Sequence, residues 1–179
     1  MKGFDVTKHS YTIIFGLCSA LLSLGIRAQT PAPPDTVKVD AGRVAMYKSL
    51  FSKSWSEKFV DLWNSNSDTA MVLARMGKVY FVSVDTDTTV VLMNFDSTGK
   101  AQYLKTLNRL PKDSIPSFTA KLEKWAAFME GKFGAMTGVF TGRIRFNGPI
   151  TLGIKYGPKF DKVAPIGKRA SEILFRKRK

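Results

Sequence analysis

Cysteine and histidine are almost missing from this chain of 179 residues, each occurring once, as Cys18 and His9. Both precede Ala28, and a chain cut there has neither. That excludes disulfides, thiol nucleophiles, histidine-based triads and the usual zinc sites, and leaves carboxylates, lysines and tyrosines for acid–base chemistry. Carboxylates are scarce as well: 14 Asp and Glu stand against 28 Lys and Arg, a net charge of +14. They are scattered mostly through turns and helix surfaces, so no constellation suggests a mechanism, and the chain reads as a non-enzyme without a cofactor. There is no internal repeat and no glycine-rich phosphate loop of the P-loop or dinucleotide type. A membrane-length apolar run is missing too: Tyr11–Ile26 spans sixteen residues interrupted by Gly16 and Gly25, short of the roughly 20 that a spanning helix needs.

What the first residues do contain is the pattern of an export signal. Lys2 and Lys8 precede the apolar run, Ala28 stands at a cleavage position, and Pro31, Pro33 and Pro34 follow. Residues 1–28 therefore read as a signal peptide, and the protein as secreted or periplasmic. A lipoprotein reading of Cys18 fails, because Phe15-Gly16-Leu17 lacks the leucine three positions back and the small residue next to the cysteine. Loss of Lys2, Lys8, Arg27 and Asp5 with the signal leaves +12. Such a surplus favours anionic partners, an anionic membrane surface among them, although a dispersed solvated basic surface would look the same. Nucleic acid is not the expected partner.

Residues 29–42 are proline-rich and read as an extended linker, followed by a single domain over residues 43–164. Val44, Tyr47, Phe51, Trp55, Phe59 and Leu62 step by three or four, the stripe of one amphipathic helix from Val44 to Trp63 whose tryptophans pack into a core. Asn64–Ser67 ends it, and Ser67 or Asp68 caps a short helix Thr69–Met76. Lys78–Val84, Thr88–Phe95 and Lys100–Leu110 are rich in β-branched and aromatic residues and are separated by the turns Asp85–Asp87 and Asp96–Gly99, which predicts an antiparallel meander. Asp85 and Asp87 are turn residues in this reading, not a cation site. Pro111–Pro116 is a loop, Ser117–Ala120 a fourth strand and Ile150–Tyr156 a helical turn closed by Gly157-Pro158. Residues 165–179 hold Lys168, Arg169, Arg176, Lys177, Arg178 and Lys179 against Glu172 and read as an exposed basic tail.

The most informative stretch is Trp125–Phe146. Phe128, Met129, Phe133, Met136, Val139 and Phe140 recur three or four apart, along one face of helical turns. Gly131, Gly134, Gly138 and Gly142 interrupt those turns and predict several short bent helices. The period then changes to two, and Ile144 and Phe146 share one face of a strand Arg143–Phe146 while both arginines take the other.

Here the sequence resembles the sterol carrier protein 2 (SCP2) family, whose C-terminal half reads as a strand, an acidic-aliphatic helix, Gly-Lys, a ten-residue run and a second Gly-Lys/Arg. The counterparts are Ser117–Ala120, Leu122–Glu130, Gly131-Lys132, Phe133–Gly142 and Arg143–Gly148, in register without a gap. The chain departs from the pattern at Gly134-Ala135, where the family usually has Asn-Pro, and at Pro149, where it usually has a polar residue. The resemblance implies an α+β fold: a five-stranded, mostly antiparallel sheet covered by helices on one face, enclosing an apolar tunnel for fatty acyl chains, sterols or other lipids. Met93, Phe95, Phe128, Met129, Phe133, Met136, Val139, Phe140, Ile144 and Phe146 are the candidate lining, since flexible methionines and broad aromatics adapt to varied apolar shapes. Periodicity alone does not separate a hollow core from a filled one. The rival to a lipid carrier is a ligand-free interaction or structural module of the cell envelope.

Overall fold

In the computed structural model, residues 39–177 are described, and the signal, most of the linker and the last two residues lie outside them. Strand β1 (Gly77–Val84) turns at Asp85–Asp87 into β2 (Thr88–Phe95), which pairs with it antiparallel from Gly77↔Phe95 to Val84↔Thr88. A second hairpin, turned at Asp96, leads to β3 (Ala101–Leu107), whose register against β2 shifts between Leu92 and Met93. The Asp96 carboxylate accepts from the Thr98 hydroxyl and from the Thr98 and Lys100 amides, which holds it below the usual carboxylate range.

After the loop of residues 108–116, β4 (Ser117–Ala120) returns beside β1 in parallel, and β5 (Arg145–Asn147) pairs antiparallel with β4. The sheet order is β3-β2-β1-β4-β5, so the expected five strands are present with one parallel pair among antiparallel ones. β5 begins two residues later than the sequence suggests because Gly142, at φ +70°, turns the chain and Arg143 and Ile144 are still bent, the Ile144 amide donating back to the Gly138 carbonyl at 3.0 Å.

Helices pack on one face. Helices α1 (Ala41–Met46) and α2 (Lys53–Asn64) replace the single helix expected over 44–63. The chain breaks at Phe51, which takes φ 64°, and restarts at Ser52, whose hydroxyl accepts the Trp55 amide as an N-cap. The break lets Tyr47, Leu50 and Phe51 reach the core along with the α2 stripe. On α2, the rings of Trp55, Phe59 and Trp63 stack in succession, with centroids 5.2 and 5.7 Å apart. The indole nitrogens of Trp55 and Trp63 donate to Ser171 Oγ and the Gly99 carbonyl, both at 2.9 Å, so these tryptophans are satisfied core residues. Helix α3 (Ser67–Met71) is capped by Asn66.

Helix α4 (Leu122–Met129) presents five consecutive buried residues, Trp125 to Met129, over the sheet. Its first amide, on Leu122, donates to the Asp85 carboxylate, which also accepts from Ser83. Gly131, at φ +68°, then turns the chain into α5 (Ala135–Phe140). Beyond β5 come α6 (Ile150–Tyr156), a 3-10 segment (Gly157–Lys162) and α7 (Val163–Arg176).

The run from residue 165 is thus no tail as far as Arg176. Ala164, Gly167, Ala170 and Ser171 place a small-residue stripe of α7 in the core, while Arg169 and Arg176 are exposed and Lys168 is half-buried beside it. A count of charges hides that stripe, because the packing residues are too small to register as hydrophobic. The opposite sheet face carries a second, smaller core of Tyr80, Val82, Val90 and Leu92, covered by Leu110 and Ile115 of the 108–116 loop. The Tyr80 hydroxyl ties that loop down by donating to Asp113 at 2.9 Å.

Candidate functional site

The ten candidate lining residues divide into two groups. Met93, Phe95, Phe128, Met129, Phe133 and Ile144 are buried in the main core between helices and sheet. There the free space bounded by Phe81, Met93, Trp125 and Met129 amounts to about 10 Å³, the volume of a single water at most. Where the resemblance placed a tunnel, the side chains meet. Trp125 explains much of the filling: its ring stands edge-on to Phe51 and Phe128, and its Nε1 donates to the Val82 carbonyl at 2.9 Å.

Met136, Val139, Phe140 and Phe146 come together elsewhere, in a groove of about 370 Å³ between α5 and α6 at the β5 edge of the sheet. Its floor includes Phe118, whose ring lies 4.8 Å from that of Phe146 and 4.5 Å from that of Phe160. One wall is α6, through Ile150, Gly153 and Ile154, continued by Gly157 at the start of the 3-10 segment. Those four positions follow the i, i+3, i+4, i+7 rule, a signal legible in the sequence but missed because two of them are glycine. Both glycines leave room for groove side chains. A Cβ on Gly157 would overlap Met136 Sδ, and one on Gly153 would press on Phe146 at 3.3 Å.

Three features set the groove's shape. The Asp161 carboxylate accepts the Ala135 amide at 2.6 Å and anchors the start of α5 to the 3-10 segment. Gly138 sits against Phe133 and Ile144, where a Cβ would approach them to 2.7 and 3.2 Å, so α5 packs close over the core. Pro149 stands at the N-cap position of α6. Gly134-Ala135 and Pro149, the departures from the SCP2 pattern, therefore lie at the starts of the two helices that form the walls.

Among the described residues no charged side chain lines the groove, whereas two wider surface depressions, of about 520 and 570 Å³, are lined in part by Lys162 and Arg169 and by Lys105, Arg109 and Lys112. The groove can hold apolar matter and orient nothing by hydrogen bonding. Away from it, the strongest polar cluster is Glu130, at the end of α4. Its carboxylate accepts from Tyr47, Arg43 and Lys168. Burial opposes its ionisation, but the Lys168 and Tyr47 hydrogen bonds and the Lys168 and Arg43 charges outweigh that and hold it below the usual range. The cluster fastens α1 and α7 to α4.

No family model matches the chain, and no curated protein matches it. Solved structures do resemble it. A conserved hypothetical protein of Thermus thermophilus, described as a candidate sterol carrier protein, superposes with a TM-score of 0.59 at 13% identity, over 68% of this chain and 89% of that one. A crystal structure of sterol carrier protein 2 gives a TM-score of 0.59 at 13% identity, over 66% of this chain and 97% of that one. At such identity the likeness is one of fold, and the chain has the α+β architecture of these sterol carrier structures.

Proposed function

We propose that the protein binds a lipid, fatty acyl chain or sterol-like molecule non-covalently, without catalysis, in the groove between α5 and α6. The observation that carries this reading is the groove itself: about 370 Å³ walled by Met136, Val139, Phe140, Phe146, Ile150 and Ile154, with no charged side chain among them. Each methylene buried there contributes roughly 0.8 kcal/mol, so a chain molecule needs no charged anchor to be held. The likeness to structures described as sterol carrier proteins supports the same ligand class. We place this activity outside the cytoplasm on the strength of the signal pattern before Ala28.

A second reading, a ligand-free module of the cell envelope, draws on the close packing around Phe81, Met93, Trp125 and Met129, where the cavity is about 10 Å³. The two part on one experiment, binding of a fluorescent fatty acid by wild type and by Met136→Trp, with melting temperatures recorded beside it. A groove that takes ligand gives saturable wild-type binding and loss of binding in Met136→Trp at a nearly unchanged melting temperature. Absence of wild-type binding favours the module.

A further inference from the structure

Among the described residues, four large apolar side chains stand mainly in solvent: Met71 at 67%, Phe140 at 80%, Ile150 at 76% and Ile154 at 66%. Single exposed apolar residues are ordinary, but Phe140, Ile150 and Ile154 gather at one place, the mouth of the groove. Phe140 is the last residue of α5, and Ile150 and Ile154 lie one turn apart on α6. Both helices are fixed from behind, α5 by the Asp161 cap and α6 through Tyr156, whose hydroxyl donates to the Ala74 carbonyl at 2.8 Å.

The charge of this segment is one-sided. Between Gly131 and Lys162 the chain carries Lys132, Arg143, Arg145, Lys155, Lys159 and Lys162 against Asp161 alone, and Asp161 is engaged by the Ala135 amide. The ammonium groups of Lys155 and Lys159 lie 5.0 and 5.6 Å from the Tyr156 ring, which holds two exposed cations, one on the helix that bears Ile150 and Ile154 and one on the 3-10 segment that follows it. Apolar tips among cations match a partner that is apolar within and anionic at its surface. A second copy of the same face would set cations against cations, which disfavours self-association there.

We propose that the groove mouth is a membrane-docking surface: Phe140, Ile150 and Ile154 enter the interface of an anionic phospholipid bilayer while Lys155 and Lys159 meet its headgroups. The proposal rests on the lipid-binding reading only for its purpose, since a docked groove would open towards the bilayer. The docking itself needs no ligand.

The test is co-sedimentation of the mature chain with phosphatidylcholine vesicles and with equimolar phosphatidylcholine–phosphatidylglycerol vesicles, at low and physiological salt. Wild type should bind the anionic vesicles and lose binding as salt rises, because screening shortens to about 8 Å. Phe140→Ser with Ile154→Ser, and separately Lys155→Glu with Lys159→Glu, should each lower the partition coefficient about tenfold at an unchanged melting temperature. Met136→Trp, which fills the groove below its mouth, should bind vesicles like wild type while losing the fluorescent fatty acid. Equal binding to neutral and anionic vesicles, or undiminished binding by Phe140→Ser with Ile154→Ser, would overturn the proposal. So would a dimer in sedimentation velocity that this variant dissociates while vesicle binding persists. Vesicle binding with no fatty acid bound by wild type would instead retire the lipid-binding reading and leave the docking surface standing.

Discussion

Lys168 of α7 reaches Glu130 at the end of α4, with Nζ 2.9 Å from Oε2, and this contact joins the C-terminal helix to the helix over the sheet. The other Glu130 oxygen accepts the Tyr47 hydroxyl at 2.9 Å, and burial together with that bond pushes the Tyr47 phenol far above its ordinary range. The Glu130 side chain is only 9% exposed, so its three donors replace most of the water it loses on folding.

Glu130→Gln should therefore lower stability by about 1.5–3 kcal/mol, the range for hydrogen bonds to a charged group. Folding also lowers the Glu130 pKa, so its contribution is full above the unfolded carboxyl value of about 4.3 and is lost as pH falls through the lower folded value. Urea midpoints of wild type and Glu130→Gln measured from neutral to acid pH should differ at neutrality and converge below that value. A constant difference would show that the charge on Glu130 is not what stabilises.

Gly99 should tolerate no side chain. It stands at φ +83°, a Cβ there would run into the Ala70 carbonyl, and its own carbonyl accepts the Trp63 indole at 2.9 Å. Gly99→Ala should cost more than about 2 kcal/mol, through the left-handed backbone and the displacement of α3. Gly131→Ala, at φ +68° with nothing near its Cβ position, should cost only about 1 kcal/mol. Equal losses in chemical denaturation would show that the contact with Ala70 has no weight.

The central strands were legible in the sequence because both of their faces are buried, so they read as short runs of β-branched and aromatic residues bounded by turn residues. Thr88–Phe95, Ser117–Ala120 and Ile150–Tyr156 fall where composition and turn residues put them. The break at Phe51 was not, since Phe51 lies in register with the Trp55–Phe59–Trp63 stripe and a straight helix would serve the same pattern. The groove was half legible. Met136, Val139, Phe140 and Phe146 were marked by periodicity, yet the same period marks Phe128 and Met129, which are core. Periodicity reports which face turns inward and not whether the inside is full.

Removal of α7 should unfold the domain. Its Gly167 lies where a Cβ would meet Met129 and Trp55, Ala170 is fully buried, and Ser171 accepts the Trp55 indole. A chain ending at Ala164 should aggregate or lose its cooperative thermal transition, because the α2 aromatic stack would face water. Retention of a wild-type melting curve would restore the basic tail as a dispensable end.

Phe128 and Phe140 carry the same side chain in the same glycine-broken segment, and the structure gives them opposite roles. Phe128 is 1% exposed, between Trp125 at a centroid distance of 6.1 Å and Phe133 at 6.2 Å, whereas Phe140 is 80% exposed at the groove mouth. Phe128→Ala should cost about 3–5 kcal/mol, the transfer of a ring plus the cavity it leaves. Phe140→Ala should stay within about 0.5 kcal/mol of wild type, as a surface substitution does. Denaturant midpoints at constant slope measure both. If Phe128→Ala proved as mild as Phe140→Ala, the space around Met93 and Met129 would have to be loosely filled, and the tunnel that the family resemblance implies would regain its place over the surface groove.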